Sequence, residues 1–333
     1  MLGSVAGGNN DGVFMTASTV TLAAGTGTLN VTGASGTGTA GGSDGVALIK
    51  DFYTAEEVAA VRADFEAVFG RTSGSAEAMD RKKGDEIGRF NDAQFKTINS
   101  IPFDCSPALN LIGLHPALIA FARAALKTDE VHLYQCQAWA KFTGDADYDQ
   151  PFHCDFVNHT LTVPSEDTTK NSVTVISYFT DVSDALGAMH YVTRPDSQTV
   201  TQAHGTLVYE REFQADLQKA LMPLGRSSAS PAGTAIPYGI DVFHRGTNLT
   251  EPGGVRYAVM ACFKRADDDS IGYTAWPYHH LMPWGQIFNH ATPDQLACLG
   301  VKRPGHRFWT ESTLNAAQVR YPGWDLTPYR QAL

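Results

Sequence analysis

Val131-His-Leu-Tyr-Gln-Cys-Gln-Ala-Trp-Ala-Lys-Phe142 is the stretch on which the fold turns. It holds no Gly or Pro, and its polarity alternates at a period of two, which predicts an extended strand. Alternation puts Val131, Leu133, Gln135, Gln137, Trp139 and Lys141 on one face. His132, Tyr134, Cys136, Ala138 and Phe142 fall on the other. Downstream, further strand patterns cover Val173 to Asp181, Gly187 to Thr193, Ala235 to Phe243 and Tyr257 to Phe263, separated by turn-rich loops.

Upstream the pattern is helical. Thr54 reads as an N-cap with Glu57 three residues on, and Val58, Val61, Phe65 and Val68 recur at helical spacing. A second helical pattern runs from Asn110 to Lys127, where Pro116 starts a fresh helix. Short strands with helices packed outside predict a mainly β protein with flanking helices, built as a sandwich or jelly roll. Residues 45–333 read as one domain, whose residues from about 266 form a C-terminal wrap that ends in a helix over Glu311 to Arg320. Residues 1–44 are dominated by Gly, Thr, Ala and Ser and read as a flexible tail. A short strand around Val20 to Val31 is the alternative reading there.

The composition excludes several classes. With 43% hydrophobic and 10% aromatic residues, the chain has ample material for a core. Its 25 Lys and Arg against 35 Asp and Glu leave a net charge of −10. The longest basic cluster, Arg81-Lys82-Lys83, is flanked by Asp80 and Asp85. A nucleic-acid backbone or an anionic membrane is therefore not the expected partner, and a small molecule is. Five cysteines without a CxxC pair suit a reducing compartment. No basic-then-apolar leader and no uninterrupted apolar run of about 18 residues is read, so the expectation is a cytoplasmic protein.

The chemistry concentrates in Pro151-Phe-His-Cys-Asp-Phe-Val-Asn-His159. His153 and Asp155 are two apart, so on an extended segment both point the same way. An imidazole and a carboxylate on one face are two thirds of the 2-His-1-carboxylate triad that holds non-haem Fe(II). An H-x-D pair alone arises by chance about once in a chain like this. A second signal lies in Tyr238-Gly-Ile-Asp-Val-Phe-His244, with Arg256 twelve residues further on the next strand. A third ligand must come from a remote strand, because ligands on one strand lie along a line. Arg256 offers a rigid two-pronged donor for a carboxylate.

H-x-D followed after some 90 residues by H-x11-R on paired strands resembles the phytanoyl-CoA hydroxylase family of Fe(II)/2-oxoglutarate dioxygenases. Tyr178-Phe-Thr-Asp-Val-Ser-Asp-Ala-Leu-Gly-Ala-Met-His-Tyr-Val192 resembles that family's strand, acidic turn and Gly-led strand. Where the family continues Pro-Gly-Ser-His, this chain has Thr193-Arg-Pro-Asp-Ser197. The resemblance spans about residues 46–265. It implies a double-stranded β-helix core of the jelly-roll, cupin-like kind, with Fe(II) as cofactor and 2-oxoglutarate and O2 as cosubstrates. It implies His153, Asp155 and His244 as iron ligands and Arg256 as the partner of 2-oxoglutarate. Gln135, Gln137, Lys141 and Thr174 become cofactor-pocket candidates from their strand positions. Halogenating relatives replace the carboxylate ligand with a small residue, so retained Asp155 implies hydroxylation or a related oxidation.

Two other classes compete: a jelly-roll protein that binds a small molecule or metal without turnover, and a zinc hydrolase using the same three ligands. Around the motif, Arg245 is expected to point away from His244, and Cys154 to be a small buried hydrophobe. His159 reads as an exposed or supporting group. His279-His280, adjacent and therefore divergent on an extended chain, reads as part of a lid or packing layer within Trp276 to Trp284.

Overall fold

The computed structural model describes residues 20–21, 28–29, 44–69, 98–144, 149–160, 164–165, 167–201, 215–268, 271 and 283–333. Strand β4 (Val131–Phe142) lies antiparallel to β10 (Val255–Arg265) over their full lengths, and this pair is the spine of the larger sheet. Around it stand β3 (Ile98–Ser100), β5 (Val173–Tyr178) and β8 (Ala235–Gly239), in the order β3-β4-β10-β5-β8. A smaller antiparallel sheet orders β7 (Arg226–Ser227), β6 (His190–Val192) and β9 (Phe243–Arg245) as β7-β6-β9. Near the N-terminus β1 (Val20–Thr21) pairs with β2 (Thr28–Leu29), inside the segment read as tail or short strand. The rest of residues 1–43 lies outside the described residues.

The two faces of β10 separate the core into layers. Tyr257, Val259, Ala261 and Phe263 point to the helices, while Ala258, Met260 and Cys262 point between the sheets. On β4 the simple alternation fails. Leu133 packs toward the helices with Cys136 and Ala138, and Tyr134 packs between the sheets. A bulge explains this: Cys262 faces Gln135 and the next residue, Phe263, faces Leu133, so Tyr134 is the extra residue. A bulge shifts the phase of everything beyond it, which puts Val131 and Leu133 on the opposite face from the Gln135-Gln137-Trp139 stripe.

A second difference concerns Ala235 to Phe243, read above as one strand. The chain turns after Gly239, with the Val242 amide donating to the Gly239 carbonyl at 3.0 Å, and restarts as β9 in the other sheet. This crossing is what a jelly roll requires, because its strands must alternate between sheets. Arg194 clamps the turn, its Nε and Nη2 donating to the two oxygens of Asp241 at 2.7 and 2.5 Å.

The helices cover the outer face of the larger sheet. Thr54 and Glu57 form the expected reciprocal cap of α1 (Ala55–Phe69), with bonds of 2.8 and 3.2 Å. Phe65 on α1 stacks on Tyr257 of β10 at 4.8 Å between ring centroids. Residues 107–126 are apolar enough to cross a membrane by length and composition. They instead form α2 (Pro107–Ile112) and α3 (Pro116–Leu126), each opened by Pro, and bury Leu109, Ile112, Leu118, Ile119 and Leu126. Trp309, Trp324 and Tyr329 of the C-terminal region join the same core as edge-to-face aromatic contacts.

Candidate active site

The site forms where the H-x-D segment meets β9 between the sheets. His153 and His244 face each other in an isolated antiparallel bridge, each backbone N–H donating to the other's carbonyl, at 3.0 and 2.9 Å. Their rings therefore leave neighbouring strands side by side, with centroids 4.5 Å apart. Each ring is pinned the same way: Nδ1 of His153 donates to Pro151 O and Nδ1 of His244 to Val242 O, both at 3.0 Å. A carbonyl only accepts, so Nδ1 carries the proton and Nε2 presents a lone pair, the tautomer a metal needs.

Asp155 completes the group by a different route than the sequence suggests. Its backbone is helical (φ −68, ψ −20) and opens the short helix α4 (Phe156–His159), so the extended segment stops short of it. Its carboxylate nevertheless lies beside the rings, with Oδ1 3.4 Å from His244 Nε2. One ligand atom from each of His153, Asp155 and His244 lies within 4.8 Å of the others. On the other side, the Tyr238 hydroxyl donates to Asp155 Oδ2 at 3.1 Å. One carboxylate oxygen is thus occupied by a neutral donor while the other faces the imidazoles.

The electrostatics suit a divalent cation. Burial first, and the neighbouring His244 second, push His153 down to about 4, so its ring is neutral near pH 7. Burial raises the Asp155 carboxyl, but His244, by charge and by hydrogen bond, with His159 and His153, outweighs it and holds the group below the ordinary carboxylate range. Burial, then the Asp155 charge, raise Tyr238 well above an ordinary phenol, so it stays a donor. Two imidazoles and one carboxylate, with a ligand atom of each within 4.8 Å of the others, make a donor set that fits non-haem Fe(II).

Arg256 is almost fully buried on β10, beyond the reach of any ion pair among the described residues. One of its terminal nitrogens donates to the Gly187 carbonyl, and its Nε has no partner. Gly187 sits at φ +74, and a Cβ there would lie 2.6 Å from Leu249 Cδ1 and 2.8 Å from Thr247 O. Only glycine brings that carbonyl to the guanidinium without strain. A buried guanidinium with an orphaned donor fits a carboxylate ligand, as the far end of 2-oxoglutarate would supply.

The strand candidates divide into two rows. Gln135, Cys262, Thr174 and Tyr238 are lateral neighbours across β4, β10, β5 and β8. Lys141 faces Arg256 at the other end of β10, six residues away, or roughly 20 Å of strand at 3.4 Å per residue. Gln135 and Thr174 thus share the Tyr238 row, not the Arg256 row. The Thr174 hydroxyl is fully buried and donates to Cys262 Sγ at 3.6 Å. Between the rows, Gln137 and Trp139 face inward partly buried, and Trp139 Nε1 has no partner.

Arg245 turns from the site to Asp149, 3.6 Å away, with its guanidinium 5.3 Å from the Phe152 ring centroid. Cys154 is buried, its thiol donating to Asp241 O at 3.4 Å. His159 is tied to the bulge residue: its Nδ1 lies 2.6 Å from the Tyr134 hydroxyl. His279 and His280 lie outside the described residues. Sequence reasoning missed Tyr238, Tyr134, Gly187 and the Arg194–Asp241 clamp. The signal for Tyr238 was its place at the head of the stretch that ends in His244.

The profile of the family described as phytanoyl-CoA dioxygenase (PhyH) matches residues 42–251, more than half of the chain. Among curated proteins none matches at a significant level. Similar solved structures include the alpha-ketoglutarate-dependent epimerase SnoN from nogalamycin biosynthesis, at 16% identity and TM-score 0.44, covering 67% of this chain and 79% of that one. The carbocyclase SnoK from the same biosynthesis is 18% identical at TM-score 0.45, covering 68% and 81%. HygX from Streptomyces hygroscopicus, with nickel and 2-oxoglutarate bound, is 17% identical at TM-score 0.48, covering 68% and 84%. With its family profile matched across the segment that carries both histidines and the aspartate, the chain belongs to the phytanoyl-CoA dioxygenase family and is a non-haem iron, 2-oxoglutarate-dependent oxygenase.

Proposed function

We propose that the protein hydroxylates, or otherwise oxidises, an unactivated C–H bond of a small organic substrate, with release of succinate and CO2. One observation carries the reading: three metal-ligand atoms within 4.8 Å of one another, in a fold that also buries a guanidinium whose Nε has no hydrogen-bond partner among the described residues. Iron bound there with 2-oxoglutarate and O2 supplies the oxidising power for C–H chemistry.

The chain's own residues position and protect. His153 and His244 hold the metal through Nε2, with Nδ1 locked on backbone carbonyls. Asp155 binds through the oxygen that faces them, and Tyr238 keeps the other oxygen turned away. Arg256 receives the carboxylate of 2-oxoglutarate remote from the metal, which fixes the reactive end. Sheet residues such as Met260 and Phe243 exclude water from the reacting centre. A zinc hydrolase would give the buried Arg256 no carboxylate to bind, so the oxygenase reading accounts for more of the site.

The test needs no substrate. Fe(II) and 2-oxoglutarate are added anaerobically to metal-free protein, and the visible iron-to-2-oxoglutarate charge-transfer band is recorded. The expected outcome is a band in wild type, lost in His244→Ala and weakened in Arg256→Ala. A folded, iron-loaded wild type without the band overturns the reading.

A further inference from the structure

The bulge on β4 turns Tyr134 inward between the sheets. There its phenol oxygen lies 2.6 Å from His159 Nδ1, and the two rings meet edge to face with centroids 5.5 Å apart. That length is below the range of about 2.7–3.2 Å for N–H donors, so the phenol donates and Nδ1 accepts. Burial first, then the Cys262 thiol, raise the phenol well above its ordinary value, and it keeps its proton. The ring proton of His159 therefore sits on Nε2, and no described residue accepts it. Ser172, directly before β5 and 4% exposed, adjoins the phenol, yet its hydroxyl reaches no hydrogen-bond partner among the described residues. A buried hydroxyl without a partner is rare in a folded protein.

These groups stand away from Arg256. Tyr134 adjoins Cys262, six residues along β10 from Arg256 and in the row of Tyr238, whose hydroxyl bonds Asp155. Asp155 opens α4 and His159 closes it, four residues apart on one helical turn, which sets their Cβ atoms about 5–6 Å from each other. The cosubstrate carboxylate belongs with Arg256 at the opposite end of the strand, so this cluster is left for the organic substrate.

We propose that Tyr134, His159 and Ser172 form the substrate anchor, and that they hold a hydroxyl group of an uncharged substrate such as a polyol or glycoside. The proposal rests on the oxygenase reading above. The phenol oxygen keeps its lone pairs, His159 Nε2–H donates, and the Ser172 hydroxyl does both, so together they match a group that is donor and acceptor at once. An anionic group fits poorly. The nearby Asp155 carboxylate repels it, and Lys264, the next residue on that face of β10, is fully buried and already partnered. An acyl chain would leave all three polar groups unpaired. The short spacing from Asp155 to His159 also selects the reacting carbon, because a substrate held at His159 presents C–H bonds about two or three bonds from its hydroxyl.

The experiment uses the full chain with Fe(II) and 2-oxoglutarate, in wild type, Tyr134→Phe and Ser172→Ala. Succinate formation is measured with myo-inositol, methyl glucopyranoside and its monodeoxy analogues, and with the corresponding uronate, hexanoyl-CoA and leucine. A neutral hydroxyl compound is expected to stimulate wild type, and removal of one particular hydroxyl to lower kcat/KM by about 100-fold or more. In each variant the preference for the hydroxyl over the deoxy compound should narrow by about tenfold, while the anaerobic charge-transfer band keeps its wild-type intensity. Stimulation by the uronate, thioester or amino acid in place of the neutral compounds overturns the proposal, as does a panel in which no neutral compound stimulates. So does a preference that both variants retain. A band lost in Tyr134→Phe overturns it as well, because the bond to His159 then serves to hold the helix of Asp155. These failures, with the band present in wild type, leave the oxygenase reading standing. A wild type without the band overturns that reading, and this proposal with it.

Discussion

Replacing Tyr238 by Phe removes one oxygen atom and leaves a ring of the same shape in a position that is 1% exposed. The lost bond, 3.1 Å to Asp155 Oδ2, joins residues 83 apart in sequence and ends on an ionised carboxylate. A hydrogen bond to a charged group contributes about 1.5–3 kcal/mol. Removing a group that supports a metal ligand typically costs about 10- to 100-fold in metal affinity, which is about 1.4–2.8 kcal/mol. The two estimates agree because the effect has one origin. Without the phenol, the carboxylate is free to rotate and satisfy Oδ2 elsewhere, and the metal must reverse that. Competition against a chelator, with Co(II) or Mn(II), measures the dissociation constant directly. Tyr178→Phe is the control: that hydroxyl bonds Ser228 and the Met189 amide, so its loss lowers stability and leaves metal affinity unchanged. A folded Tyr238→Phe protein that binds metal within threefold of wild type would show that Tyr238 does not orient Asp155.

Two further outcomes follow from the pocket around Arg256. Gly187→Ala combines a left-handed backbone with a Cβ 2.6 Å from Leu249, and should cost about 2–4 kcal/mol in urea denaturation; a loss below 1 kcal/mol would mean that the turn relaxes freely. Metal-free protein should gain stability as pH rises from the depressed Lys141 value toward the ordinary lysine value of 10.5, because burial and the facing Arg256 lower Lys141 in the folded protein while the unfolded chain still holds the proton. A flat pH profile in wild type, or an unchanged slope in Lys141→Met, would contradict this.

Much of the site was legible because its chemistry rests on residue type and strand position. The spacing of His153 and Asp155 pointed to a metal, the resemblance to the dioxygenase family completed the set with His244, and the helix starts at Thr54 and Pro116 follow local rules that no tertiary contact overrides. What escaped were features set by geometry between strands. The phase of β4 depended on one extra residue at Tyr134, invisible without its partner strand. The stretch Ala235 to Phe243 kept its β character through a turn, since a sheet crossing needs no Gly or Pro signature beyond Gly239. Tyr238 looked like another core aromatic, because only the fold reveals which polar atom a buried phenol meets.

The mutual backbone bridge between His153 and His244 has a consequence for how the molecule assembles. Neither imidazole belongs to a site until two distant lengths of chain have met, so the metal acts as a rivet on a long-range closure and not as an occupant of a local loop. Metal supply then sets how often that closure opens, since a ligand that binds only the closed form stabilises it in proportion to its concentration over its dissociation constant. Iron limitation would loosen the smaller sheet at its joint with residues 151–155 well before the β4–β10 spine gave way, and the protein's lifetime in the cell would track its metal supply.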